Sequence, residues 1–416
     1  MLNAPPFPVV VLSVVFLLIA VRQINIVKLR IWQIVVAGAA VIMATGQISL
    51  QAAVSYIDPT VIVFLASIFV VGEALTESGY AQHLFYSVFK PAKSVGALVL
   101  IVLFSVGVAS MFLLNDTLAV IGTPVVLLFA EKERINPKLM LLSLAFAVTI
   151  GSVASPIGNP QNILIASSGD VGNPFITFFS YLLLPTMINL LLAYAVLRLF
   201  YKKEFGAKRP TYAKMRIADE GLARLCKVSL LIIGVLVAAD IAIVSLGLGG
   251  GFSLAYIAAM AALPLLALSK KRATLLKNID WPTIAFFVAL FVLVGSVWQS
   301  GFVQDLASGL GAGIGSVPVV LVASVLGSQL VSNVPMVLLY LKLLAFAHIS
   351  TASAMALAAG STIAGNMFIL GAASNVIIIQ SAERRRSEAL TFTDFARVGV
   401  LLTAINVFVY WVFLSI

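Results

Sequence analysis

The chain reads as long apolar runs separated by short polar joints. Ten runs are read as helices that cross a bilayer, roughly 7–21, 31–46, 60–76, 139–168, 174–200, 228–247, 252–269, 283–298, 351–381 and 396–416. Apolar residues fill these runs instead of alternating, which predicts helices and not the strands of a barrel. Two further apolar segments, 94–130 and 313–346, return to the side they came from. Asn115 to Thr117 and Ser332-Asn333 interrupt them, leaving second arms of 13 residues each, 118–130 and 334–346. A span needs about 17–25 apolar residues, so both segments are predicted to be re-entrant hairpins. Non-helical backbone at that depth is tolerated only where it is buried or lines a cavity.

Charge orients this pattern. With the N-terminus outside, 25 of the 26 Lys and Arg residues fall in inner loops, and Lys342 alone lies outside. Cytoplasmic loops carry such an excess, which places both termini outside. Spans one to five then run opposite to spans six to ten. The predicted architecture is an all-α polytopic membrane protein of two inverted five-helix repeats, each with a re-entrant hairpin and a broken helix. Residues 1–200 form the first repeat, 201–227 a cytoplasmic linker and 228–416 the second repeat. Ile62, Phe64, Phe69 and Ser78-Gly79-Tyr80 recur 222 positions later as Ile284, Phe286, Phe291 and Ser300-Gly301-Phe302.

Composition agrees with this class. Hydrophobic residues make up 61% of the chain and charged residues 10%, which excludes an ordinary soluble domain. The net charge of +10 is explained by the inner loops and calls for no nucleic acid. A single cysteine, Cys226, excludes an internal disulfide and a cysteine-based metal site. The first apolar run has no basic segment before it and reads as a retained span. No phosphate-binding loop with Gly-Lys-Ser/Thr and no Ser/His/Asp set is apparent, so no enzyme, cofactor or metal centre is expected.

The residues suited to chemistry interrupt the apolar runs. Asn115-Asp116-Thr117 is followed 43 positions on by Gly158-Asn159-Pro160-Gln161-Asn162. Ser332-Asn333-Val334 and Gly371-Ala372-Ala373-Ser374-Asn375 repeat that layout about 215 positions later. Polar breaks at matching places in two halves of a membrane protein point to a transporter's binding site. Two glycines and two prolines across 151–160 must break that span. The freed backbone groups need partners, which Asn159, Gln161 and Asn162 can supply. The solute is therefore expected at Asn115, Gly158, Asn159, Gln161, Asn162, Ser332, Asn333, Gly371, Ser374 and Asn375. An acid inside the membrane is costly and functional by default, so Asp116 is the candidate proton carrier. Ser328 and Ser332 share a helix face and could ligate Na⁺, a hard cation that needs oxygen. Ser110 and Leu114 match them in the first half, where leucine cannot ligate and Asp116 could substitute; Thr117 completes the coupling set. Asp240 lies within span six, which the repeat makes peripheral. No Lys or Arg lies at any of the four motifs, which favours a neutral or weakly charged oxygen-rich solute.

The four motifs together resemble those of the ion transporter superfamily, over nearly the whole chain. This superfamily includes arsenite efflux permeases, sodium/proton antiporters of the same fold and divalent-anion/sodium symporters. Asn115-Asp116 followed by Leu118-Ala119-Val120-Ile121 and Thr123-Pro124 looks like the arsenite permease pattern, as does Ser332-Asn333-Val334-Pro335. The symporters carry Ser-Asn-Thr at both hairpin tips; here Leu114, Asp116 and Val334 depart from it. The broken helices at Gly158–Asn162 and Gly371–Asn375 look more like those of the symporters. The resemblance implies a scaffold and a transport domain in each protomer, elevator-like movement and, in many members, a homodimer. The expected activity is proton-coupled efflux of arsenite or antimonite, with H⁺, or else Na⁺, as coupling ion. The alternatives are a sodium- or proton-coupled carrier of organic or inorganic anions of the citrate or dicarboxylate type, and a sodium/proton antiporter. Expected partners are the lipid bilayer, a small inorganic or organic oxyacid and, if ATP drives transport, a cytoplasmic ATPase subunit docking on 201–227.

Overall fold

Ser, Asn or Asp stands before many of the apolar runs, and each accepts a hydrogen bond from an otherwise orphaned N–H of the following first turn. Asp58 accepts from Thr60 N at 2.8 Å and caps a helix whose first residue is Pro59. Asp280 accepts from Thr283 N at 3.1 Å and does the same for a helix with Pro282 in its first turn. The computed structural model describes residues 5–23, 29–169, 171–205, 217–305, 312–346, 350–384 and 390–416. Nearly all of these are helical, and none forms a strand. Residues 206–216 of the expected linker, Lys28 and Arg385-Arg386 lie outside the described residues.

The first series of helices is α1 Phe7–Gln23, α2 Ile31–Ala44, α3 Leu50–Tyr56, α4 Pro59–Ser78, α5 Tyr80–Phe89, α6 Val95–Ala109, α7 Asn115–Glu133, α8 Pro137–Ser152, α9 Pro160–Ser167 and α10 Pro174–Phe200. The second is α11 Glu220–Ser245, α12 Leu254–Leu268, α13 Arg272–Asn278, α14 Trp281–Gln299, α15 Val317–Val331, α16 Asn333–Phe346, α17 Thr351–Ile363, α18 Ala373–Arg384 and α19 Phe392–Leu414. Five helices, α4, α10, α11, α14 and α19, have 19 to 27 residues and are long and apolar enough to cross a membrane alone. Partners in packing match as well as order does. Helix α4 packs on α12 and α14 on α2; α6 packs on α8 and α15 on α17; α7 packs on α18 and α16 on α9; α10 packs on α19.

Several boundaries differ from those read in the sequence. Helix α7 has 19 residues, not 13, because Asn115 to Thr117 and the charged end at Glu131 to Glu133 are helical too. Helix α11 begins at Glu220, inside the segment read as linker. Its cap is Asp219, whose carboxylate accepts from Leu222 N at 2.9 Å. That bond, with Lys271 at 3.3 Å, holds the Asp219 carboxyl below its ordinary range. Lys271 also reaches Glu77 of α4 at 2.8 Å, joining three elements at one end of the bundle. The short helices α3, α5 and α13 carry no apolar run of spanning length, and so hydropathy alone misses them. Asp240 is buried, but it accepts from Asn173 Nδ2 at 2.8 Å and from Phe252 N, which pins the turn between α11 and α12.

Close backbone approach holds the interrupted helices together. Without a hydrophobic drive between helices in lipid, association relies on small residues and interhelical hydrogen bonds. Gly151 of α8 lies directly on the Gly107 backbone of α6, so a Cβ there would overlap it. Gly360 of α17 sits in the same way on Leu321 and Ser324 of α15. Gly151→Ala should therefore destabilise the protein by about 1–3 kcal/mol or more. Gly172→Ala, with no atom within 4 Å of the new Cβ, should leave stability within about 0.5 kcal/mol of the parent. Thermal unfolding in detergent compares the two.

Candidate functional site

The first broken helix shows how a membrane-buried interruption is satisfied. Helix α8 ends at Ser152, and Pro160 opens α9. Asn159 caps α9 by accepting from Asn162 N at 2.9 Å. The Asn159 amide donates to Ser152 Oγ and to Thr362 Oγ1, both at 3.1 Å. Asn162 donates to the Ser152 carbonyl at 3.0 Å and the Ser155 carbonyl at 2.9 Å, so it takes up acceptors that the break sets free. Gln161 donates to Thr362 Oγ1 at 3.3 Å.

Each hairpin tip rests on its own break. The Asn115 N–H donates to the Gly158 carbonyl at 3.2 Å, and Asn115 Oδ1 accepts from Asp116 N at 2.9 Å. Ser110 Oγ donates to the Val148 carbonyl at 2.8 Å. Thr117 lies against Gly72 of α4, 2.7 Å from where a Cβ would stand. Asp116 is half-buried, and its carboxylate makes no hydrogen bond or ion pair among the described residues. In the second half, Gln329 Nε2 donates to the Ala364 carbonyl at 2.7 Å. Asn375 Nδ2 donates to the Gly365 carbonyl at 2.6 Å, over the same ten-residue interval as Asn162 to Ser152. Gly371 packs so closely that a Cβ would stand 2.7 Å from the Ala364 carbonyl oxygen. Ser332 turns α15 into α16 at φ +75°, a conformation that only a few per cent of non-glycine residues adopt.

Of the sequence-predicted residues, Asn115 and Gly158 bond to each other, and Asn159, Gln161 and Asn162 are joined through Thr362, while Ser328, Ser332, Asn333 and Ser374 make no side-chain bond to them among the described residues. Tip one meets break one at Asn115–Gly158, the two broken helices meet at Thr362, and hairpin two meets break two at Gln329–Ala364. Thr362 and Gln329 were not read from the sequence. A signal for Thr362 exists: the offset of 213 that pairs Asn162 with Asn375 also pairs Thr149 with Thr362.

The halves differ in how far their polar atoms are used. In the first, Ser110 Oγ and the side-chain oxygens of Asn115, Asn159 and Asn162 all have partners. In the second, Ser328 Oγ, Asn333 Oδ1, Ser374 Oγ and Asn375 Oδ1 are buried and find none among the described residues. Four helices, α7, α9, α16 and α18, start at the motifs, and a helix N-terminus offers free N–H groups and a partial positive charge. No Lys or Arg side chain is hydrogen-bonded or ion-paired with any of the motif residues, and no group of three or more His, Cys, Asp or Glu gathers anywhere among the described residues. The cluster can accept hydrogen bonds or ligate a hard cation through side-chain oxygens, and can donate through helix termini.

A cavity of about 350 Å³ opens between α9 and α16 on one wall and α3, α4 and α14 on the other. Asp58, Ser167 and Lys342 line it, and Lys342 stands over the Trp298 ring at 5.2 Å. Lys342 is nine residues into α16 from Asn333, roughly 13–14 Å along the helix. The cavity is therefore lined by α9, which starts at the first break, and by α16, which starts at the second tip.

Apolar helices folded around a polar, interrupted centre define a multi-pass membrane transporter, and comparison with known proteins agrees. Residues 14–353 match the family model CitMHS, described as "Citrate transporter". The chain belongs to that family, within the ion transporter superfamily. An uncharacterized transporter of Mycobacterium tuberculosis (strain H37Rv) is 29% identical over 374 residues, 84% of each chain. The silicon efflux transporter LSI3 of Oryza sativa subsp. japonica is 26% identical, over 89% of this chain and 90% of that one. The Alcanivorax borkumensis YdaH transporter superposes with a TM-score of 0.63 at 17% identity, over 99% of this chain and 98% of that one. Neisseria gonorrhoeae MtrF gives 0.58 at 12% identity, over 99% and 95%. The two structures share the fold.

Thr362→Val should cost about 1–3 kcal/mol, because it strands amide donors of Asn159 and Gln161 in a buried site. Thr149→Val removes a buried hydroxyl that has no partner among the described residues and should be near neutral or slightly stabilising. The comparison is read from unfolding temperatures of the two variants.

Proposed function

We propose that the chain is a proton-coupled secondary carrier that exports arsenite or antimonite. The observation that carries this reading is the set of buried, unpartnered oxygens at Ser328, Asn333, Ser374 and Asn375, with no lysine or arginine bonded to the cluster. A naked polyanion would have only helix-start N–H groups and the Ser328 and Ser374 hydroxyls to hold it and no cation beside them, since the amides of Asn159, Gln161, Asn162 and Asn375 already donate within the protein. A metalloid hydroxide brings its own O–H donors, is neutral near pH 7, and can accept in turn from N–H groups of the four helix starts. Asp116, with no partner for its carboxylate, takes the proton exchanged for solute. The two series of helices lie inverted in the membrane with both termini outside, and the interrupted helices move as a body against α4 and α14. The silicon efflux relative supports efflux of a metalloid.

A second reading is favoured by the family description and by the same four oxygens. In it, a citrate-type carboxylate is carried with Na⁺ or a divalent cation, which the oxygens ligate and which neutralises the anion.

Purified protein in proteoliposomes separates the two. Vesicles with an acid lumen, and the protein's inner face outward, should accumulate arsenite and antimonite against their gradients and stop when an ionophore collapses the pH difference. Asp116→Asn should reduce this uphill flux at least tenfold and retain solute exchange. Accumulation of citrate that requires Na⁺ or Mg²⁺, without arsenite flux, would establish the second reading. Unchanged proton dependence in Asp116→Asn would remove Asp116 from the coupling step.

A further inference from the structure

One repeated motif lies outside the four already described. Thr186-Met187-Ile188-Asn189 of α10 recurs 217 positions later as Thr403-Ala404-Ile405-Asn406 of α19. All four polar residues are buried: Thr186, Asn189 and Asn406 are fully so, and Thr403 is 3% exposed. Each asparagine falls near the middle of a long apolar helix, where a polar side chain is expensive and retained for a reason. Threonine and asparagine three apart share one helix face, so each motif presents a single polar patch.

The two patches meet. Asn406 Nδ2 donates to Asn189 Oδ1 at 2.9 Å, so matching residues of the two series bond to each other where α10 and α19 pack. Beside this contact Thr186 Oγ1 and Tyr410 Oη bond at 2.8 Å, and on the second-half side it reaches the break. Asn366, in the interruption between α17 and α18, donates from Nδ2 to Asn406 Oδ1 at 3.1 Å. That is the single side-chain bond Asn366 makes, since its Oδ1 finds no partner among the described residues. One turn before Thr403, Gly399 lets α19 close directly onto the Asn366 and Met367 carbonyls. The position matching Asn366 in the first half is Val153, whose side chain cannot hydrogen-bond. The first break is instead held by Asn159 and Asn162 from its own helix.

We propose that Asn406 is a positioning residue for the second break: anchored on Asn189, it holds Asn366 and so sets where Ser374 and Asn375 stand. None of the relay residues is among those assigned to the solute site, and Asn366 connects to Ser374 along the backbone of the second break. The relay explains how the less hydrogen-bonded break can keep the unpartnered oxygens of Ser374 and Asn375 in place. The importance of those oxygens rests on the reading given under Proposed function, but the placement of the break does not.

The test therefore uses no solute. Ser374→Cys and, separately, Gln161→Cys report on the second and first breaks; both positions are buried, as is the native Cys226. Adding Asn406→Ala should raise the rate of maleimide labelling at position 374 about tenfold and leave position 161 within twofold. Asn189→Ala should act in the same direction, and the pair Asn189→Ala with Asn406→Ala should be no worse than Asn406→Ala alone. If Ser374→Cys does not fold, Ala372→Cys reports on the same break. An equal rise at both breaks, or no rise at the second, overturns the proposal, whatever solute the protein carries.

Discussion

Backbone groups inside hydrocarbon must bond within the protein, and this molecule interrupts its helices there at four places. Each interruption leaves carbonyls and N–H groups that water cannot reach, and the arrangement of the centre follows from finding them partners. Asn162 takes up two carbonyls of the first break, Asn375 takes up one of the second, and Gly158 receives the backbone of the opposing tip. An Asn, Gln or Ser at these positions is thus first a substitute for lost helical hydrogen bonds. What remains unbonded after that requirement is met is what a solute can use.

The requirement is met unequally in the two halves. Two prolines force the first break open, and three amides with Thr362 close its bonds almost completely. The second break has no proline and turns through short 3₁₀ segments, with fewer side-chain bonds and more oxygens left over. Under the proposed function, a carrier that binds solute between one saturated wall and one open wall needs no basic residue there. Helix starts supply the positive character, and the side chains supply the acceptors.

Much of this was legible in the sequence, because run length, charge bias and polar interruptions are local properties. The positions of both hairpins and both breaks follow from Asn115, Asn159, Asn333 and Asn375 standing inside runs that would otherwise span. The lengths of the hairpin arms did not follow, since hydropathy counts apolar residues and α7 continues through polar ones at both ends. The short helices α3, α5 and α13 were equally invisible, because they are held by packing, and α3 also by the Ser49 cap, and not by apolar length.

Sequence alone determined the helical membrane class, the four interruption points and the absence of a lysine or arginine within the motifs. Tertiary structure decided which polar atoms are consumed and which stay available. Thr362 serves residues some 200 positions away, and Asn189 meets Asn406 across 217. A hydrogen bond depends on direction and a distance near 3 Å, and two residues that far apart along the chain reach such geometry only when the whole bundle has packed.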